Sequence, residues 1–188
     1  MFTYYRAAMR KILVVAVSLI LLAGCSSPIQ ETSDGKMAQL TPPLSCEQES
    51  VIQAFADQVE GSLYVPTDWQ PSPGTDLYDV YEAGGIACTY GIQVAEVGGT
   101  VMWASNVDNL WDRKKTQWLE QGQVQIDLPG INETDALILK EGSTSADEMH
   151  VWAINLLIND VWIHVGASFL QNVDEALPII QAAIDSLS

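Results

Sequence analysis

The chain has 188 residues, a mean hydropathy of +0.11 and a formal charge of −16, with 24 Asp and Glu against 8 Lys and Arg. Such a balance excludes nucleic acid as a partner, because phosphate binding needs clustered Lys and Arg, and it leaves anionic lipid headgroups repelled by the surface. The length fits one domain with a tether.

The chain opens on Arg6, Arg10 and Lys11, followed by an apolar run from Ile12 to Ala23 that ends at Gly24-Cys25. The run is shorter than the ~20 residues of a membrane-spanning helix, so it reads as the apolar core of a signal peptide over residues 1–24. Leu22-Ala23-Gly24-Cys25 resembles the lipobox of bacterial lipoproteins. That resemblance implies a diacylglycerol on the Cys25 thiol and a cut that makes Cys25 the first mature residue. The alternative is an ordinary secretory signal with Cys25 near the cut by chance. Under the lipobox reading the partner is the membrane, reached through covalent lipid, because two buried acyl chains anchor stably where one does not.

Residues 25–44 hold the lipidated Cys and a Ser, Pro, Gln, Thr and Gly stretch without an apolar period, which reads as a flexible tether. About 20 such residues span on the order of 25 Å. A single globular domain is expected over 45–188. With Cys25 taken by lipid, Cys46 and Cys88 remain, and an exported domain favours a disulfide between them over two buried thiols.

Ser45 and Gln48 have capping-box spacing ahead of Val51, Ile52, Phe55 and Val59, a helical stripe that Gly61 stops. Pro66, Pro71 and Pro73 predict an extended, irregular segment over 63–75. Leu77, Tyr78, Val80 and Tyr81 read as a short strand, and Ile86, Cys88, Tyr90, Ile92 and Val94 alternate along the next. Gly98-Gly99 then reads as a hairpin turn before Val101, Trp103 and Ser105. A helix is expected from Asn109 to Gln121, with Leu110, Trp111, Trp118 and Leu119 as its apolar stripe. Strands follow at Val124 to Ile126, Ala136 to Leu139, Met149 to Ile158 and Val161 to Ala167, and a last helix runs from Val173 to Leu187 with Pro178 near its first turn. The order predicts an α+β fold, a mainly antiparallel sheet with about three packed helices.

If Asn159-Asp160 is a two-residue turn, Asn155 faces His164 and Ile158 faces Val161. His150 and His164 then point to opposite sides of the sheet, so no shared metal site is expected. One face of this hairpin is thoroughly apolar core. The other carries Leu157 and Trp162 with Asn155 and His164 set among them, and it is either covered by another element or a groove whose two polar groups orient the head of an apolar ligand. Asp76, Asp79 and Glu82, Asp108 and Asp112, and the run Arg113-Lys114-Lys115 read as solvated surface. No nucleophile motif and no cofactor motif is present, and no catalytic residue is assigned.

The lipobox, the tether, Ser45-Cys46 opening a helix and Gly84-Gly85-Ile86-Ala87-Cys88-Thr89-Tyr90 on a strand together resemble small cell-envelope lipoproteins of actinobacteria. That resemblance implies one disulfide-linked α/β domain of unknown function, and some similar domains bind apolar ligands or extracytoplasmic partners. The expectation is a non-enzymatic, lipid-anchored binding module for an apolar small molecule. The alternatives are a scaffold that meets another envelope protein and an enzyme acting on glycans through carboxylates.

Overall fold

A computed structural model describes residues 39–142 and 150–188 of the chain. The signal segment, Cys25 and the tether up to residue 38 lie outside the described residues, as do Met149 and the His150 side chain. Eleven main elements follow: α1 (Glu49–Gln58), β1 (Leu63–Val65), α2 (Asp76–Glu82), β2 (Ile86–Ile92), β3 (Val97–Ser105), α3 (Leu110–Glu120), β4 (Val124–Gln125), β5 (Asp135–Gly142), β6 (His150–Ile158), β7 (Val161–Ala167) and α4 (Leu177–Asp185). The strands form one antiparallel sheet of seven in the order β1-β2-β3-β7-β6-β5-β4. The fold is therefore α+β as the pattern predicts, with helices on both faces of the sheet.

Alternation along the central strands divides the core in two. Tyr90, Val101, Trp103, Ile154, Leu156, Ile163 and Val165 point to one face and pack against Val51 and Phe55 of α1 and Ile179 and Ile180 of α4. Trp103 is fully buried there and its Nε1 donates to the Ala183 carbonyl at 3.0 Å, which satisfies an otherwise costly indole N–H. Cys46 and Cys88 form the disulfide, pinning the entry to α1 onto β2, and Tyr90 Oη donates to the Cys46 carbonyl at 2.9 Å. Ala87, Met102, Ala104, Leu137, Leu157 and Trp162 point to the opposite face, under Val80 of α2 and Leu110, Trp111 and Trp118 of α3.

Four local expectations are corrected. Leu77 to Tyr81 is helical, in α2, because the Thr75 side chain accepts from the Tyr78 N–H at 3.2 Å and caps a turn whose apolar run is too short to reveal its own period. The capping box at Ser45 does not form; Gln48 donates instead to the Ser45 carbonyl and α1 starts at Glu49. The β2–β3 turn lies at Gln93–Ala95 with Glu96 at φ 53°, and Gly98 and Gly99 sit inside β3 opposite Gly91 and Tyr90. A Cβ on Gly98 would meet the Tyr90 carbonyl oxygen at 2.3 Å, so this glycine answers to close strand approach rather than to a turn. Leu63 to Val65 pairs with β2 as an edge strand where irregular chain was expected.

The β6–β7 hairpin keeps its predicted register, with Asn155 opposite His164 and Ile158 opposite Val161. Asn159 and Asp160 both take positive φ, 47° and 61°, as a tight twisted turn requires. The packed body reaches back beyond Ser45: Pro43 is buried, Leu40 packs on the core, and Thr41 exchanges two backbone hydrogen bonds with Ser188.

Candidate functional site

The hairpin face that the sequence offers as a groove is covered over half its length. Asn155, Leu157 and Trp162 are buried beneath α3, with the Trp118 and Trp162 rings 5.0 Å apart and Trp111 edge-on to Trp118 at 5.2 Å. These three residues therefore belong to the core, and a ligand has no open face there. The physical reason is the seven- and eight-residue spacing that puts apolar Leu110, Trp111 and Trp118 on one side of α3, which needs an apolar surface of this size to bury against.

The polar groups within that core form a closed chain. Trp162 Nε1 donates to Asn155 Oδ1 at 2.9 Å and Asn155 Nδ2 donates to Gln123 Oε1 at 3.1 Å, which fixes the amide orientation because an indole nitrogen only donates. His164 Nδ1 lies 2.9 Å from the same Asn155 oxygen and must be the protonated nitrogen. The imidazole is thus held as the Nδ1–H tautomer, with Nε2 carrying a lone pair. Burial pushes the His164 pKa down to about 4, against an opposing pull from Asp76, so the ring is neutral at ordinary pH.

His164 is only partly buried, and its ring leans along β7 toward Gly166. A Cβ on Gly166 would come within 3.0 Å of His164 Nε2. Beyond this point α3 no longer covers the sheet, and the uncovered end of the same face forms a cleft of about 380 Å³. Its floor is made by Thr89, Thr100 and Gly166 on β2, β3 and β7, where small side chains leave room above the backbone. Val65 of the edge strand and the Gln93–Glu96 turn form one wall, and Val151 of β6 forms the other. The volume falls in the range of small-molecule sites, about 300–1,000 Å³. Apolar side chains stand exposed around the same end of the sheet, with Leu63 at 65%, Val94 at 96% and Val151 at 37% of full accessibility. Among the described residues Glu96 is the one charged residue of the lining.

None of the four predicted ligand-binding residues lines this cleft; His164 comes nearest, with its Nε2 beside Gly166 of the floor. Val151 belongs to the hairpin face the sequence offers as a groove, whereas Val65, Thr89, Thr100 and Gly166 were not singled out from sequence. A signal was present in the small residues at Gly98, Thr100 and Gly166 within strand patterns, since glycine inside a strand marks a place where backbone must be approached closely.

The charged clusters also depart from expectation. Lys114 is buried, and its Nζ pairs with Asp76 Oδ1 at 2.6 Å and Asp79 Oδ2 at 2.7 Å, with Gln117 Oε1 at 2.8 Å. Lys115 pairs with Asp135, which also accepts from Trp111 Nε1 at 3.1 Å. Two residues of the basic run thus tie α3 to α2 and to β5 in place of a solvated face. Among the described residues no group of three His, Cys, Asp or Glu is placed to hold a metal ion. Among them, too, no helix is long and apolar enough to cross a membrane.

Residues 9–26 match the family model described as prokaryotic membrane lipoprotein lipid attachment site. Neither a curated protein nor a solved structure matches the chain. The protein is accordingly a bacterial lipoprotein, anchored to the membrane by lipid and exposed on the cell envelope.

Proposed function

We propose that this lipoprotein is a non-catalytic binding module that holds an apolar small molecule in the cleft at the uncovered end of the sheet, with Cys25 as the lipidated residue. The observation that carries the reading is the cleft itself: about 380 Å³ of lined space on a face otherwise sealed by α2 and α3, ringed by exposed Leu63, Val94 and Val151. Residues 1–24 are then removed, residues from Cys25 tether the domain, and the layout is that of an actinobacterial envelope lipoprotein. The tether enters the packed body at Thr41, beside Ser188 and the end of α4, where Trp103 meets Ala183. The cleft runs along Gly98 to Thr100 of β3, three to five residues from Trp103 and so about 10–17 Å away.

Native mass spectrometry of the full chain, released gently from its own membrane, tests the reading. The expected result is an adduct that extracts into organic solvent and is absent from Thr100→Trp, which fills the cleft floor. Bare protein in both cases overturns it and points to an envelope protein as the partner of the exposed apolar rim.

A further inference from the structure

We infer that His164 Nε2 is the polar recognition point of the cleft and that the ligand is a neutral apolar molecule presenting a hydroxyl or amide N–H donor to it. The inference rests on the cleft being the ligand site and adds the ligand's chemistry. Three observations carry it. The Trp162–Asn155–Gln123 chain leaves His164 Nδ1 as the donor nitrogen, so Nε2 can only accept. Nε2 stands beside Gly166, a residue of the cleft floor, at the edge of the lined space rather than within it, and no hydrogen bond to it is formed among the described residues. Among the described residues the lining holds no Lys or Arg and its one charge is the carboxylate of Glu96, so a ligand with a carboxylate or phosphate head would meet repulsion and find no counter-charge from them.

An acceptor of this kind discriminates sharply. A ligand that lacks the donor leaves the imidazole nitrogen without a partner from the ligand, whereas one that has it gains a neutral hydrogen bond. Gly166 is part of the device, since any side chain there would press on the ring that makes the recognition.

The test uses 2-naphthol and 2-methoxynaphthalene, which differ in a single donor hydrogen replaced by methyl. Equilibrium dialysis of the full chain in nanodiscs, against empty nanodiscs, fixes the free concentration of each probe. The wild type is expected to hold 2-naphthol about tenfold tighter, the equivalent of about 1.4 kcal/mol. His164→Phe is expected to keep 2-methoxynaphthalene and lose the preference. In the wild type, the His164 Nε2 nitrogen resonance is expected to move on adding 2-naphthol and stay in place with the ether. Equal affinities in the wild type, a preference that survives His164→Phe, or an unmoved Nε2 resonance would each overturn the role of His164 while leaving the cleft standing. Failure of both probes to bind, or binding undiminished in Thr100→Trp, would overturn the cleft and this inference with it.

Discussion

Replacing Lys114 by Met removes the cation that joins α2 to α3 and keeps the length of the side chain. Asp76 and Asp79 are then left facing one another without a counter-charge. Breaking a fully buried ion pair from one side costs about 3–5 kcal/mol. Here the two carboxylates keep 29% and 30% of their side-chain exposure, so water recovers part of that cost and about 2 kcal/mol is expected. The ammonium also lies 6.0 Å from the Trp118 ring centroid, which adds about 0.5 kcal/mol. Urea unfolding followed by circular dichroism measures the sum as a lowered midpoint at unchanged slope. The triple change Lys114→Met, Asp76→Asn, Asp79→Asn removes both stranded charges and is expected to recover to within about 1 kcal/mol of wild type. Burial alone would lower the Lys114 pKa, but the hydrogen bonds and charges of Asp76 and Asp79 outweigh it and raise the value. The cluster's contribution is therefore whole below the unfolded lysine value of about 10.4 and disappears as pH rises through the higher folded value. A single variant within 0.5 kcal/mol of wild type, or a triple variant as unstable as the single, would refute the assignment of these residues as a buried ionic tie.

Burial lowers the His164 pKa from 6.5 to about 4, so below pH 6.5 the unfolded chain binds a proton that the folded chain refuses, and stability falls as pH drops from 6.5 toward 4. His164→Phe should flatten that limb by about 3 kcal/mol in acid titrations of unfolding, and an unchanged limb would contradict a neutral ring. Replacing Cys46 and Cys88 by Ala opens a loop spanning 42 positions and is expected to cost about 4 kcal/mol in denaturant unfolding by the chain-entropy treatment. Trp103→Phe leaves the Ala183 carbonyl without its indole donor and should lower stability by about 1–3 kcal/mol, read from the same unfolding curves. Leu157→Asp and Trp162→Asp place a carboxylate under α3 and are expected to give chains without a cooperative transition; soluble, cooperatively folding variants would mean the face is open after all.

The sheet was legible where period two and turn chemistry agreed. Asn159-Asp160 fixed the β6–β7 register to the residue, because only a few residue pairs supply two consecutive positive φ values in so short a turn. Gly98-Gly99 misled for the complementary reason: glycine serves close backbone approach as well as turns, and sequence alone does not tell the two apart. Leu77 to Tyr81 was too short for period to decide, and a Thr75 cap decided it. The site was half legible. The mixed face of β6 and β7 was identified, with His164 on it, but how far α3 extends over that face depends on where Leu110, Trp111 and Trp118 dock, which is a tertiary fact. Lys114 shows the same limit, since a run of three basic residues reads as solvent-facing until the carboxylates of a distant helix are brought against it.

A protein held by one end is also pulled by that end. Tension on the anchor meets Leu40 packed on the core and then the two backbone hydrogen bonds between Thr41 and Ser188. Only the few residues up to Cys46 can peel before the pull arrives at the disulfide and passes through a covalent bond into β2, inside the sheet. The helix α1 is thereby shielded from drag on the tether, and β2, which carries Thr89 of the cleft floor, takes the load within the sheet. The bond that closes a loop in the resting fold acts, under strain from the membrane side, as the point where unravelling stops.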